Sequence, residues 1–321
     1  MAKDFSMHVA TIGSGLWGSP DGGENWGRAK GIWADTRVYG LGVNPKNPNI
    51  MYAGTDEGIF RSDDNGKNFS HLDSPMDSMS VWRIAVDPSN PEIVFAGTSP
   101  SAVYRSQDSG AKWEKLNVDL AEKCPNVREP RVTGLAVDPT DSRNIWVGVE
   151  VDGVRRSTDG GDSWSLVVGI NDPDIHGVIV SPGSPKTVFV ATPHEIWAST
   201  DGESWEGLGV EAQFAPMPYC RDITLKEGDS SVMFVATGDG ANGGVGTVQR
   251  SGDGGRTWEE RPLPVVPNTP IWTFATNAAD PNRIVTCSHY GQVFTSSDGG
   301  DAWEKVHREF TEIRGMAWTP N

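Results

Sequence analysis

The sequence predicts an all-β fold, a seven-bladed β-propeller. Three observations carry that reading: a turn motif repeated seven times, a strand pattern before the copies, and a period that multiplies to the length of the chain. Ser-x-Asp-x-Gly-x-x-Trp recurs as Ser19–Trp26, Ser62–Phe69, Ser106–Trp113, Ser157–Trp164, Ser199–Trp205, Ser251–Trp258 and Ser296–Trp303, the fifth copy one residue short. Its aspartates, from Asp21 to Asp298, lie about 46 residues apart, so seven periods account for the 321 residues.

Each repeat reads as four short strands, lettered A to D. In the first complete copy these are Val38–Val43, Ile50–Gly54, Ile59–Ser62 and Phe69–Leu72. Strand A closes on Asn-Pro or Asp-Pro in the clearest copies, as in 41–55, 84–98 and 135–148, with weaker copies starting at Val178, Ile223 and Phe274. The last segment, Ile313–Thr319, is a strand A without successors. The first residues supply B (His8–Ile12), C (Leu16–Ser19) and D (near Trp26) without an A. A blade assembled from both ends would close the ring without an open sheet edge, making residues 1–321 one propeller domain.

Composition narrows the function. The chain carries 27 Lys and Arg against 43 Asp and Glu, a formal charge of −16. Such a chain repels phosphate backbones, so nucleic acid is not expected as a partner. No apolar run is long enough to span a membrane, and no basic-then-apolar leader opens the chain. Cys124, Cys220 and Cys287 are too few and too scattered for a disulfide framework or a Cys-x-x-Cys metal site, which fits a reducing cytoplasmic setting. GxSxG, HExxH and P-loop motifs are missing. The glycine-rich stretch 238–246 sits between two strands and reads as a long hairpin loop rather than a nucleotide cradle, so an organic cofactor is not expected.

The repeat resembles the Asp-box, or BNR, repeat of the sialidase-like β-propeller superfamily. The resemblance implies that the motif forms the turn between strands C and D, its Asp, Ser and Gly serving the turn and its aromatic packing between blades. These aspartates are therefore expected to be scaffold. Sialidases of the superfamily use an arginine triad, a Tyr/Glu pair, an acidic residue and an Arg-Ile-Pro motif. This chain has candidate arginines and tyrosines, but its nearest match, Arg83-Ile84-Ala85, departs from that motif and lies in another repeat. Xyloglucanase-like members join two such propellers and cut polymers in the cleft between them, whereas one propeller fills this chain. The chain also resembles seven-bladed photosystem assembly factors in length and box count, without their basic patch or targeting start.

The A–B and C–D loops share one face and are stereotyped; the B–C loops and D–A connections share the other and vary. Function is expected on the variable face. Two D–A connections there are long, Asn117–Pro130 and Gly209–Tyr219. Equivalent positions at the start of the innermost strands give Tyr39, Trp82, Thr133, His176, Arg221, Trp272 and Arg314, with Arg37, Arg83, Arg131, Tyr219 and Asp222 beside them. A ring of aromatic, cationic and imidazole groups at the channel mouth suits a small ligand, and the arginines suit an anionic one. Loops on the same face add Glu150, Asp152, His194, His289 and Tyr290.

The expected roles follow. Arg37, Arg83, Arg131, Arg221, Arg314, Trp82, Trp272, Tyr219, His289 and Tyr290 would bind substrate; His176, His194, Glu150, Asp152 and Tyr39 would do the chemistry. A divalent metal near His176 and His194 is an open alternative to acid–base work. The expectation is a hydrolase or lyase acting on a small, anionic organic or sugar-like substrate. A non-catalytic interaction scaffold and a sialidase-like glycoside hydrolase are the alternatives.

Overall fold

The structure, a computed structural model, describes residues 4–125, 127 and 129–321. Seven four-stranded antiparallel sheets stand around a central channel, each ordered A-B-C-D from the axis outward. Their innermost strands are Val38–Val43, Ser80–Val86, Val132–Val137, Gly177–Ser181, Tyr219–Lys226, Ile271–Ala275 and Ile313–Pro320, which number blades one to seven. Among the described residues the single α-helix is the four-residue Val210–Gln213 in the fifth blade's entry loop. No helix among them is long and apolar enough to cross a membrane.

The closing blade is shared as the repeat phase predicts. Strand Phe5–Thr11 pairs antiparallel with Ile313–Pro320, from Phe5 opposite Pro320 to Thr11 opposite Ile313. Ser6 Oγ donates to Asn321 Oδ1 at 2.7 Å and Thr319 Oγ1 to Asn65 Oδ1 at 2.6 Å, tying both ends to each other and to blade one.

The core is divided. Seven apolar clusters fill the seven gaps between neighbouring blades. Between blades six and seven, for example, Val285, Cys287 and Val293 meet Met7, Val9, Met316 and Trp318. Burial between blades rather than at the axis holds the ring together and leaves the channel to polar groups.

The repeated turns share one hydrogen-bond pattern. In the sixth copy Ser251 Oγ donates to Asp253 Oδ1, Gly255 N–H to Ser251 Oγ, Thr257 N–H to Asp253 Oδ1, and the Trp258 indole to Gly255 O. The pattern recurs around Asp21, Asp108 and Asp159. In the shortened fifth copy Asp201 instead accepts from Glu203 and Ser204. The Thr257 N–H and hydroxyl pull the Asp253 carboxyl down to about 2.

Candidate functional site

The ring positions have a local structural basis. In six of the seven blades the innermost strand pairs with its neighbour through a ladder that shifts register near the start of that strand. The shifts fall between Val38 and Gly40, Val81 and Arg83, Val132 and Gly134, Cys220 and Asp222, and Ile271 and Thr273. In the closing blade the shift skips from Ile313 to Gly315. The skipped residues are Tyr39, Trp82, Thr133, Arg221, Trp272 and Arg314. A β-bulge lifts its residue out of the ladder and re-aims the side chain. In blade four His176 lies just before the strand, with its N–H bonded to Ala191 O.

These side chains assemble two flat walls with cations between. Tyr39 stacks on Trp82 at 4.5 Å between centroids, and the Arg131 guanidinium lies 4.3 Å from the Trp82 ring. Opposite in sequence, His289 stacks on Trp272 at 3.8 Å and Tyr290 on His289 at 4.8 Å. Arg221 lies 4.0 Å from the Trp272 ring, and Arg314 4.8 Å from Trp272 and 5.4 Å from Trp82. Desolvated cation–π contacts of this kind contribute about 2 kcal/mol each.

The charges around the mouth do not balance evenly. Arg131 pairs with Glu150, and Arg314 with Glu312, which also faces His289 Nε2 at 3.2 Å. Arg221 is 5 % exposed and makes no hydrogen bond or ion pair among the described residues; its Nε is buried and unpartnered. Burial brings Arg314 down to about 10, with Glu312 opposing and Arg221 and Arg131 adding to the fall. Burial likewise lowers Arg221, with Arg131 adding to the fall and Tyr219, Asp222 and Glu150 opposing it. Three guanidinium groups are thus held together with one lacking a carboxylate of its own, an arrangement that favours an added anion.

His176 is 3 % exposed. Its Nδ1 lies 2.6 Å from the Cys220 carbonyl oxygen, which can only accept, so Nδ1 carries a proton. Its Nε2 faces Asp174 Oδ2 at 3.5 Å. Although burial opposes ionisation, His176, Arg221 and Arg131 hold the Asp174 carboxyl below the usual carboxylate range. Tyr219 presents an edge to both histidines, at 5.3 Å from His176 and 6.5 Å from His194.

Several predicted residues stand elsewhere. Arg83 lies down the channel, its Nε donating to Thr133 O at 2.6 Å, and lines a cavity of about 230 Å³ with Asp222. Burial raises the Asp222 carboxyl, which accepts from Thr273 Oγ1 at 2.8 Å. Arg37 is exposed; its backbone N–H donates to Asp56 Oδ1 and its carbonyl accepts from the Asp56 N–H. Asp152 is a brace rather than an acid–base group: it pairs with Arg155 at 3.1 Å and accepts from Ala121 N, fixing the long connection. His194 is exposed. The metal reading of His176 and His194 meets no matching geometry, since the described residues hold one three-ligand group, the exposed His71, Asp73 and Asp77 on another part of the molecule.

Two residues escaped the sequence reading, Asp174 and Glu312. Both stand two residues before a ring position, His176 and Arg314, as do Arg131 before Thr133 and Tyr219 before Arg221. In extended chain that spacing returns a side chain to the same face. Stepping back by two from every ring position would have found both.

No protein-family model matches the chain. A xyloglucanase of Acetivibrio thermocellus is 27% identical over 249 residues, 64% of this chain and 28% of that protein. An oligoxyloglucan-reducing end-specific xyloglucanase of Emericella nidulans is 30% identical over 138 residues, 40% of this chain and 16% of that protein. Aligned segments therefore span well under half the length of these curated relatives. Among solved structures, the GH74 xyloglucanase of Xanthomonas campestris superposes with a TM-score of 0.72 at 18% identity, over 95% of this chain and 53% of that one. The Niastella koreensis GH74 enzyme gives 0.66 at 22% identity, over 94% and 47%. YCF48 bound to a D1 peptide gives 0.64 at 16% identity, over 93% and 88%. At these identities the structural likeness establishes the fold: this chain is a seven-bladed β-propeller.

Proposed function

We propose that this propeller acts on carbohydrate, and that its channel mouth seats a saccharide through an anionic substituent such as a uronate carboxylate. The observation that carries the reading is Arg221, buried against Trp272, near two paired arginines and without a hydrogen-bond acceptor among the described residues. Tyr290, exposed and stacked on His289, offers a flat face to sugar-ring C–H groups. The xyloglucanases among the relatives support sugar as the substrate class.

The chemistry proposed is glycoside hydrolysis, which uses two carboxyl groups. Asp174 with His176 moves a proton, since Nδ1 is fixed on the Cys220 carbonyl and Nε2 is turned toward Asp174. Glu150 is the second carboxylate: one oxygen takes Arg131 and the other, Oε2, has no partner among the described residues.

Calorimetric titration with an oligogalacturonide and with a neutral xyloglucan oligosaccharide, beside a reducing-end assay, tests this. The acidic saccharide binds, Arg221→Met weakens it, and Asp174→Asn and Glu150→Gln abolish any release of reducing ends. A second reading is favoured by the chain covering 88% of the YCF48 structure but about half of the GH74 ones. In it, Arg221 takes the terminal carboxylate of a partner peptide and no bond is cut. Binding of peptides with a free C-terminus, without saccharide binding, selects that reading; binding of neither refutes both.

A further inference from the structure

The repeat supplies its own standard for what each gap between blades should contain. On each B strand the residue that follows the one paired with the turn serine is a wedge: Tyr52, Phe95, Trp146, Phe189, Phe234 and Val285 in blades one to six, and His8 in the closing blade. Beneath the turn glycine of the next blade lie Tyr52, Phe95, Trp146, Phe234 and His8. A Cβ on Gly110 would stand 3.4 Å from Tyr52, on Gly161 3.6 Å from Phe95, and on Gly202 2.6 Å from Trp146; on Gly66 it would stand 2.5 Å from His8. Five of seven gaps therefore hold an aromatic wedge, and the seam where the two chain ends meet holds an imidazole instead.

That imidazole is 2 % exposed, and neither ring nitrogen has a hydrogen-bond partner among the described residues. The neighbouring Asn65 amide is engaged by Thr319 and, at 3.5 Å, by Ser6. His8 forms part of the wall of a cavity of about 380 Å³ between the closing blade and blade one. Trp26 and Pro20 give it apolar surface, and Arg28, Lys30 and Lys67 are its basic lining residues. No Asp or Glu lines it. Four other cavities of 230 to 540 Å³ each include at least one carboxylate, such as Asp222, Asp253, Asp138 or Asp229. The Arg28 guanidinium turns to Trp17 and Ser14, so in a chain with 43 acidic residues against 27 basic ones Lys30 and Lys67 are the cations left to an apolar hollow with no carboxylate among its lining residues.

We propose that this cavity is a second ligand site, separate from the channel mouth, that takes a small aromatic carboxylate. The carboxylate faces Lys30 and Lys67, the ring lies against Trp26 and Pro20, and the buried imidazole at the wall supplies a ring nitrogen without a hydrogen bond among the described residues. An occupant there bridges the closing blade and blade one, next to the Ser6–Asn321 and Asn65–Thr319 contacts that fasten the ring, so it stabilises closure.

The probe is benzoate, with neutral benzamide as control, titrated by calorimetry into the full chain carrying Arg221→Met so that the mouth does not compete. Nitrogen NMR of the histidine rings runs beside it. One benzoate binds per chain, the His8 resonances move, and the melting temperature rises. The dissociation constant increases by about tenfold or more in His8→Phe and in the double variant Lys30→Gln/Lys67→Gln. Absence of benzoate binding overturns the proposal, as does equal binding of benzamide or unchanged affinity in the lysine variant. Should His8→Phe fail to fold, the lysine variant and the His8 resonances decide.

Discussion

Replacing His8 by Phe should remove an acid-sensitive point from the ring closure. Burial, opposed by the nearby Asn65 side chain, brings the His8 imidazole from 6.5 down to about 4. Above pH 6.5 the group is neutral whether the chain is folded or not and adds no pH dependence. Between 6.5 and 4 the unfolded chain takes up a proton that the folded one refuses, so stability falls as pH drops through that window and levels off below about 4. At about 1.4 kcal/mol per unit, the loss at pH 4.5 is about 2–3 kcal/mol. Phe at this position carries no proton and meets Gly66 as Phe95 meets Gly161. Urea unfolding of both proteins at pH 7 and pH 4.5 measures the difference, because the other titrating groups are shared and cancel. The wild type should lose about 2–3 kcal/mol more than the variant over this interval. Equal losses would refute the reasoning and mean that the imidazole takes up its proton without unfolding.

Other substitutions separate scaffold from site. Arg221→Met should raise the dissociation constant for an oligogalacturonide about 10- to 100-fold, the range of a charge-assisted hydrogen bond, while leaving the melting temperature within a few degrees. Gly202→Ala places a Cβ 2.6 Å from the buried Trp146 ring at a φ of +77°, so it should cost about 2–4 kcal/mol in urea unfolding. Gly160→Ala, at φ +81° with nothing within 4 Å, carries only the backbone part, about 1–2 kcal/mol. Equal costs for the two glycines would show that the wedge yields. Asp253 stays ionised down to about 2 because the Thr257 N–H and hydroxyl bond its carboxylate. The depressed folded value stabilises the fold above the ordinary carboxylate range, and that contribution is lost as pH falls toward 2. Asp253→Ala should therefore lower the melting temperature at pH 7 and leave it unchanged near pH 2.

The sequence by itself determined the blade number, the turn chemistry and the shared closing blade. Each is written locally: a Ser-x-Asp-x-Gly turn satisfies itself within a few residues, and its recurrence counts the blades. It also located the ring: Tyr39, Trp82, Thr133, Arg221, Trp272 and Arg314, where a repeated bulge occupies a repeated position, and His176, which stands just before its strand. What each ring residue does was not legible, since partners come from neighbouring blades about 46 residues away or more. Tertiary structure decided that Glu150 answers Arg131, that Asp152 instead braces Arg155, and that Arg83 points down the channel toward Asp222. It decided, too, that among the described residues Arg221 has no ion pair and neither ring nitrogen of His8 has a hydrogen bond within bonding geometry. Local hydrogen bonds fix the repeat; the surplus and deficit of charge at the mouth and at the seam arise only when the blades close into a ring and unlike side chains meet at equivalent places.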